Sequence, residues 1–221
     1  MEVPGMRRWV LVWFVLLMAA MYGADYGSPA AAGTPTAEEI TQRVAQTRAA
    51  ARVASADVKL KLFVRKSTTQ PPDCTFGGTM RVEEGRPIVQ LATRSPGTTC
   101  AIVERRALGP LFKSLEPLET FFARFELSVL NQKHPANDQY YRVQGKARDP
   151  KGDPKGFLAW MDYGRGTIVE GTINYAWGDM DTTQTYDRIN NALVLTQQVL
   201  YSPKYNTWLE LTYSNFGFAP K

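Results

Sequence analysis

The stretch Val169-Glu170-Gly171-Thr172-Ile173-Asn174-Tyr175-Ala176-Trp177 decides the fold. Val169, Gly171, Ile173, Tyr175 and Trp177 fall on one side of an extended chain, and Glu170, Thr172 and Asn174 on the other. Side chains alternate across a strand, so the pattern predicts a sheet with one dry and one wet face. The last apolar segment repeats it, with Leu209, Leu211 and Tyr213 set against Glu210, Thr212 and Ser214. Between Phe157 and Phe216 the spacing predicts four or five consecutive antiparallel strands, and no catalytic motif interrupts them.

Upstream the same two-residue period recurs. Val58, Leu60, Leu62 and Val64 alternate with Lys59, Lys61, Phe63 and Arg65, and Phe76, Gly78, Met80 and Val82 with Thr75, Thr79, Arg81 and Glu83. Glu84-Gly85-Arg86 predicts a hairpin into Pro87–Arg94, and Ser95-Pro96-Gly97 a turn into a further strand over Thr99–Arg105. Ala123, Phe125, Leu127 and Val129 alternate with Arg124, Glu126 and Ser128, and Gln139–Ala147 reads as another strand. Helix is expected in two places. Thr36 and Glu39 have capping-box spacing, Ile40, Val44 and Ala51 follow at helical intervals, and Gln42, Arg43, Gln46 and Arg48 fill the exposed side. A short helical piece is expected over Pro110–Leu115, with a break at Pro117. The fold class is therefore mainly β with few helices (α+β). A curved antiparallel sheet of about ten or eleven strands forms a half-barrel covered by short helices.

Residues 1–24 have the three-part form of a signal peptide: Arg7 and Arg8, the apolar run Trp9 to Tyr22, then Gly23 and Ala24. A run of about 14 residues suits a secretory leader and falls short of the roughly 20 needed to span a bilayer. An uncleaved anchor is the alternative. Residues 25–35 read as a flexible tether and residues 36–221 as a single domain. Export is expected, with the periplasm as the compartment. Cys74 and Cys100, each placed at the start of a strand-like run, agree with an oxidising environment. A disulfide between them would stabilise by about 3 kcal/mol through loop-closure entropy, two unpaired thiols being the alternative.

The formal charge is +5, and removal of the leader, with Glu2, Arg7 and Arg8, leaves about +4. Basic residues are scattered, the densest groups being Arg105-Arg106 and Lys59, Lys61, Arg65 and Lys66. Nucleic-acid binding wants a concentrated patch, so none is expected, whereas weak attraction to anionic lipid headgroups fits this charge. The chain's one histidine, His134, precedes a proline in a polar loop and reads as solvated. No His/Cys set at metal-ligand spacing, nucleophile elbow, phosphate loop or dinucleotide fingerprint is present. Asp179 and Asp181 beside Gly178 lack the remainder of a calcium loop and read as a hairpin turn, as do Asp149 and Asp153. Carboxylates that meet only in space stay open. The expectation is a protein that is no enzyme and carries no cofactor or metal.

The apolar face remains. Its inward residues are Leu60, Leu62, Val64, Phe125, Leu127, Val129, Tyr141, Val143, Val169, Ile173, Tyr175, Leu209, Leu211 and Tyr213. They form either a packed core or, in part, the lining of a pocket for an apolar ligand.

Four segments carry a resemblance. They are Tyr141-Arg142-Val143-Gln144-Gly145, the run Trp160-Met161-Asp162-Tyr163-Gly164-Arg165-Gly166-Thr167-Ile168, Gln184-Thr185-Tyr186, and the closing Leu209–Phe216. Their order resembles the outer-membrane lipoprotein carrier superfamily, which includes LolA/LolB-like and LppX-like carriers and RseB-type stress sensors. The likeness runs over residues 36–218 at the level of layout. It implies a half-barrel whose inner face holds acyl chains. Lipid or an acylated protein is then the expected partner, with a transient membrane or membrane-protein contact. A sensor or protein-interaction module is the rival of another class, and an enzyme acting on envelope polymers the third.

Overall fold

The computed structural model describes residues 34–65, 70–83, 85–108, 112 and 116–220. The signal peptide over residues 1–24, the tether before Thr34, turn residue Glu84 and the helical piece over 110–115, apart from Phe112, lie outside the described residues.

The chain runs α1 (Ala37–Ala49), β1 (Val53–Val64), β2 (Cys74–Glu83), β3 (Arg86–Arg94) and α2 (Thr98–Val103), which passes into a π-helical turn (Glu104–Leu108). It continues with α3 (Leu118–Ala123), β4 (Phe125–Leu130), β5 (Tyr140–Ala147), β6 (Gly156–Asp162) and β7 (Thr167–Tyr175). β8 (Gly178–Ile189), β9 (Ala192–Ser202), a 3-10 turn (Pro203–Tyr205) and β10 (Thr207–Phe218) complete it. All ten strands form one antiparallel sheet in the order β3-β2-β1-β10-β9-β8-β7-β6-β5-β4. It does not close into a barrel: β3 and β4 are its free edges. Two meanders, β1–β3 and β4–β10, therefore meet at the β1/β10 seam, where Val58 faces Tyr213, Leu60 faces Leu211 and Leu62 faces Leu209. Pro87 lies in edge strand β3, where a missing ladder donor is tolerated.

Local chemistry fixes the helices. Thr36 Oγ1 accepts from the Glu39 amide at 3.2 Å, and the Thr36 amide donates to Glu39 Oε2 at 2.7 Å, so the expected capping box is formed. Ile40, Val44 and Arg48, spaced four apart, share the buried side of α1. Arg48 is only 3 % exposed, which corrects its placement on the solvent side. Its spacing from Val44 outranked its polarity.

Helix α3 adds to the two helical segments the sequence pattern predicts. It begins directly after Pro117, and Leu118, Phe121 and Phe122 have the i, i+3, i+4 spacing that would have revealed it. Phe121 packs on Phe125 at 4.9 Å between ring centroids, and both Phe121 and Phe122 reach Phe157 at 5.7 Å. Phe157 lies across its cross-strand partner Gly145, where a Cβ would stand 2.2 Å from the ring. Only glycine leaves room for that packing.

Thr99–Arg105 is helix, not strand. Its β-branched residues suggested a strand, but Cys100 is bonded to Cys74 with 5.6 Å between their Cα atoms. Cys74 opens β2 on the face that carries Leu62. A strand added beyond β3 would lie about 10 Å from β2, so the segment leaves the sheet and folds back over that face.

Candidate functional site

The inward residues come together with two exceptions, Val64 and Val169. Cross-strand partners share a face, and the register links Leu60, Leu62, Leu209, Leu211 and Tyr213 across β1 and β10. On the other side it links Val129 to Val143, Tyr141 to Met161, and Phe157 to Ile173. Leu60, Phe125, Val143, Ile173, Tyr175, Leu209, Leu211 and Tyr213 are buried. Leu62, Leu127, Val129 and Tyr141 are partly buried against the same core. Val64 keeps its parity at the end of β1 but is 44 % exposed, so it lines nothing. Val169 is off the face: a bulge pairs Ile168 with Met161 and Glu170 with Trp160, and Ile168 takes the buried position.

Much of this face is core. Helix α1 packs over β4, β7 and β9 and against α3. Ile40, Val44, Leu118 and Phe121 are fully buried there. The turn between β6 and β7 approaches α1 so closely that a Cβ on Gly166, at φ 65°, would meet Thr47 Oγ1 at 2.0 Å.

The opposite end of the sheet differs. A cleft of about 480 Å³ is lined by Arg86, Pro87, Ile88, Val89 and Leu91 of β3, by Glu104 of the π-helical turn, and by Phe112. That volume is within the range of small-molecule pockets, roughly 300–1,000 Å³. Its walls are apolar and its rim charged, with Arg94 Nη1 and Glu104 Oε2 paired at 2.6 Å from strand to turn. The Cys74–Cys100 bond ties α2, which leads into that wall, to the sheet. None of these residues stood among the fourteen inward ones. The strand expected over Pro87–Arg94 is present, and Val89 and Leu91, two apart in it, are the sequence signal of its apolar face.

The interior also holds polar groups. Arg48 Nη2 donates to Gln184 Oε1 at 2.7 Å and to Tyr186 Oη at 2.8 Å. Gln198, opposite Gln184, donates to Thr182 Oγ1 at 3.1 Å. Burial pushes the Tyr213 phenol far above its ordinary range, against the opposing pull of Arg48. Burial does the same at Tyr175, helped by Asp153 and opposed by Arg124. Both hydroxyls therefore keep their protons at any physiological pH.

Residues weighed for catalysis have structural partners. His134 is only partly solvated: its side chain is 14 % exposed, lies 4.9 Å from the Trp160 ring and 5.0 Å from that of Tyr140, and sets Nε2 3.7 Å from Glu170. Asp179 and Asp181 lie on β8 itself, accepting from Asn174 at 3.0 Å and Thr172 at 2.7 Å. Asp149 accepts from the Lys151 amide and Asp153 from that of Ala176. Among the described residues no group of three or more His, Cys, Asp or Glu is placed to hold a metal ion. No helix among them is long and apolar enough to cross a membrane.

No family model matches the sequence, and no curated protein does either. Solved structures do. A LolA superfamily protein, NE2245 from Nitrosomonas europaea, superposes with a TM-score of 0.57 at 12 % identity, over 85 % of this chain and 96 % of its own. The chain shares the fold of this LolA superfamily protein. A DUF1329 family protein from Desulfovibrio piger matches with a TM-score of 0.56 at 7 % identity, over 84 % of this chain and 94 % of its own. A Vibrio parahaemolyticus domain described as an outer membrane lipoprotein-sorting protein gives 0.53 at 10 % identity, over 82 % and 93 %. At these identities the likeness is one of LolA-type architecture.

Proposed function

We propose that this protein is an exported, non-enzymatic carrier or binding protein for a lipid, a lipoprotein acyl chain or another apolar ligand of the cell envelope. The observation that carries the reading is the cleft beside β3, an apolar hollow of about 480 Å³ left at the end of a sheet whose other half is packed. Pro87, Val89, Leu91 and Phe112 offer hydrocarbon to hydrocarbon, while Arg86 and Glu104 keep the rim wet. Binding then comes from apolar burial, on the order of 25 cal/mol per Å² removed from water. The LolA-type fold supports the reading without naming the ligand. The test is mass spectrometry of organic extracts of protein purified from its native compartment, paired with uptake of a fluorescent lipid. Extractable lipid and saturable uptake are expected; empty protein with no uptake removes the reading.

A second reading, a sensor or protein-interaction module, has one observation in its favour. Tyr201 and Trp208 stack at 4.1 Å on the sheet's outer face, beside Phe63 on the neighbouring strand. Aromatic residues of this kind are common anchors at protein interfaces. Pull-down from solubilised membranes separates the two readings, since a sensor retains a stoichiometric partner and a carrier exchanges ligand without one.

A further inference from the structure

The buried polar cluster beneath α1 is unbalanced. Arg48 is a full cation inside the core, and among the described residues its hydrogen-bond partners, Gln184 and Tyr186, are neutral. Tyr186 Oη also donates to Gln184 Oε1, at 2.5 Å, so that oxygen already serves two donors. Nε and Nη1 of Arg48, Nε2 of Gln184 and Oη of Tyr213 are all buried without a hydrogen-bond partner. Gln198 Oε1, on the residue opposite Gln184, is an unpaired acceptor on the same stretch of the sheet, and the Tyr213 hydroxyl can accept as well as donate. Native interiors pair nearly all their buried donors, and an arginine buried with no counter-charge is a costly arrangement. Here the unpaired N–H hydrogens of Arg48 and Gln184 outnumber the unpaired acceptors beside a positive charge. Tyr213 stays protonated, and so remains a donor, because burial resists its ionisation.

We propose that the Arg48 cluster recognises the anionic group, a carboxylate or phosphate, of an amphiphile whose hydrocarbon lies on the inner face. The proposal rests on the carrier reading and narrows its ligand to a negatively charged amphiphile. Charge-assisted hydrogen bonds from Arg48, completed by Gln184 and Tyr213, satisfy the unpaired donors and neutralise the buried cation. A neutral lipid leaves all of them unpaired.

The experiment compares equilibrium binding of dodecanoate, dodecyl phosphate, dodecanol, acetate and inorganic phosphate at pH 8, using the full exported chain. Variants are Arg48→Met and Tyr213→Phe. The unaltered protein is expected to bind dodecanoate and dodecyl phosphate at least about 30-fold more tightly than dodecanol. Arg48→Met brings that ratio close to one, and Tyr213→Phe lowers it a few-fold. Thermal unfolding without ligand adds a second readout. Removing an unpaired buried charge leaves Tm unchanged or raised in Arg48→Met, whereas an arginine that serves only the fold lowers it. Equal affinity for acid and alcohol overturns the anion site while the carrier reading stands. Binding of neither overturns both. Acetate or phosphate bound as tightly as the long-chain ligands means a small-anion site and overturns the amphiphile. Should Arg48→Met fail to fold, an unchanged ratio in Tyr213→Phe overturns the proposal.

Discussion

From β4 to β9 the inner face is pressed beneath α1 and α3, with Ile40, Val44, Leu118 and Phe121 wholly buried; beside β3 the same sheet borders a cleft of about 480 Å³. Both ends are built from strands with the same apolar alternation. What distinguishes them is the material laid across them. The aromatic run of α3 fills one end, whereas at the other α2 and its π-helical turn stand as a wall with a charged rim. Alternation creates an apolar face and leaves open whether that face becomes core or pocket.

The sharpest way to break the contrast is to empty the packed end. Phe121→Ala is expected to cost about 4 kcal/mol in denaturant unfolding, as large aromatic deletions from close-packed cores do. A loss below about 1.5 kcal/mol would mean that α3 is a loose cover and that both ends are open. Next in size, replacing Cys74 and Cys100 together with serine should cost about 3 kcal/mol through loop-closure entropy. Hydrogen exchange should then quicken in β2, β3 and α2 while α1 keeps its protection. Equal quickening in α1 would show that the two ends do not behave separately.

The third prediction concerns the cleft alone. Leu91→Gln should weaken binding of a fluorescent fatty-acid probe about tenfold, roughly 1.4 kcal/mol. Denaturant midpoints should barely move, because Leu91 is only partly buried. A large stability loss with intact binding would assign Leu91 to the core. Smallest is the helix cap: Thr36→Ala should cost about 1 kcal/mol, visible as faster exchange in the first turn of α1. No change there would mean that packing alone holds that turn.

The sheet was legible because a two-residue period is local information. β1, β2, β5, β7 and β10 could each be read from their own side chains. Val169 was misplaced because a bulge is set by how two strands register, and Val169 carries no sign of it. Arg48 was misread by giving chemical type more weight than its spacing from Val44. Thr99–Arg105 was lost to a tertiary constraint, the bond from Cys100 to Cys74, which outweighed local propensity. Helix α3 was legible and overlooked. The cleft was the least legible of all, since it depends on where Glu104 and Phe112 settle relative to β3, a relation between segments distant in sequence.

The β1/β10 seam has a consequence for the order of assembly. β1 to β3 can form as neighbours early, and β4 to β9 can zip in succession, but β10 alone joins them. The contacts across that join link residues more than about a hundred positions apart, the kind of pairing that slows folding. During synthesis the two meanders therefore stay uncoupled until residues 207–218 have emerged. The C-terminal strand acts as the keystone, and any defect within it parts the molecule along its middle.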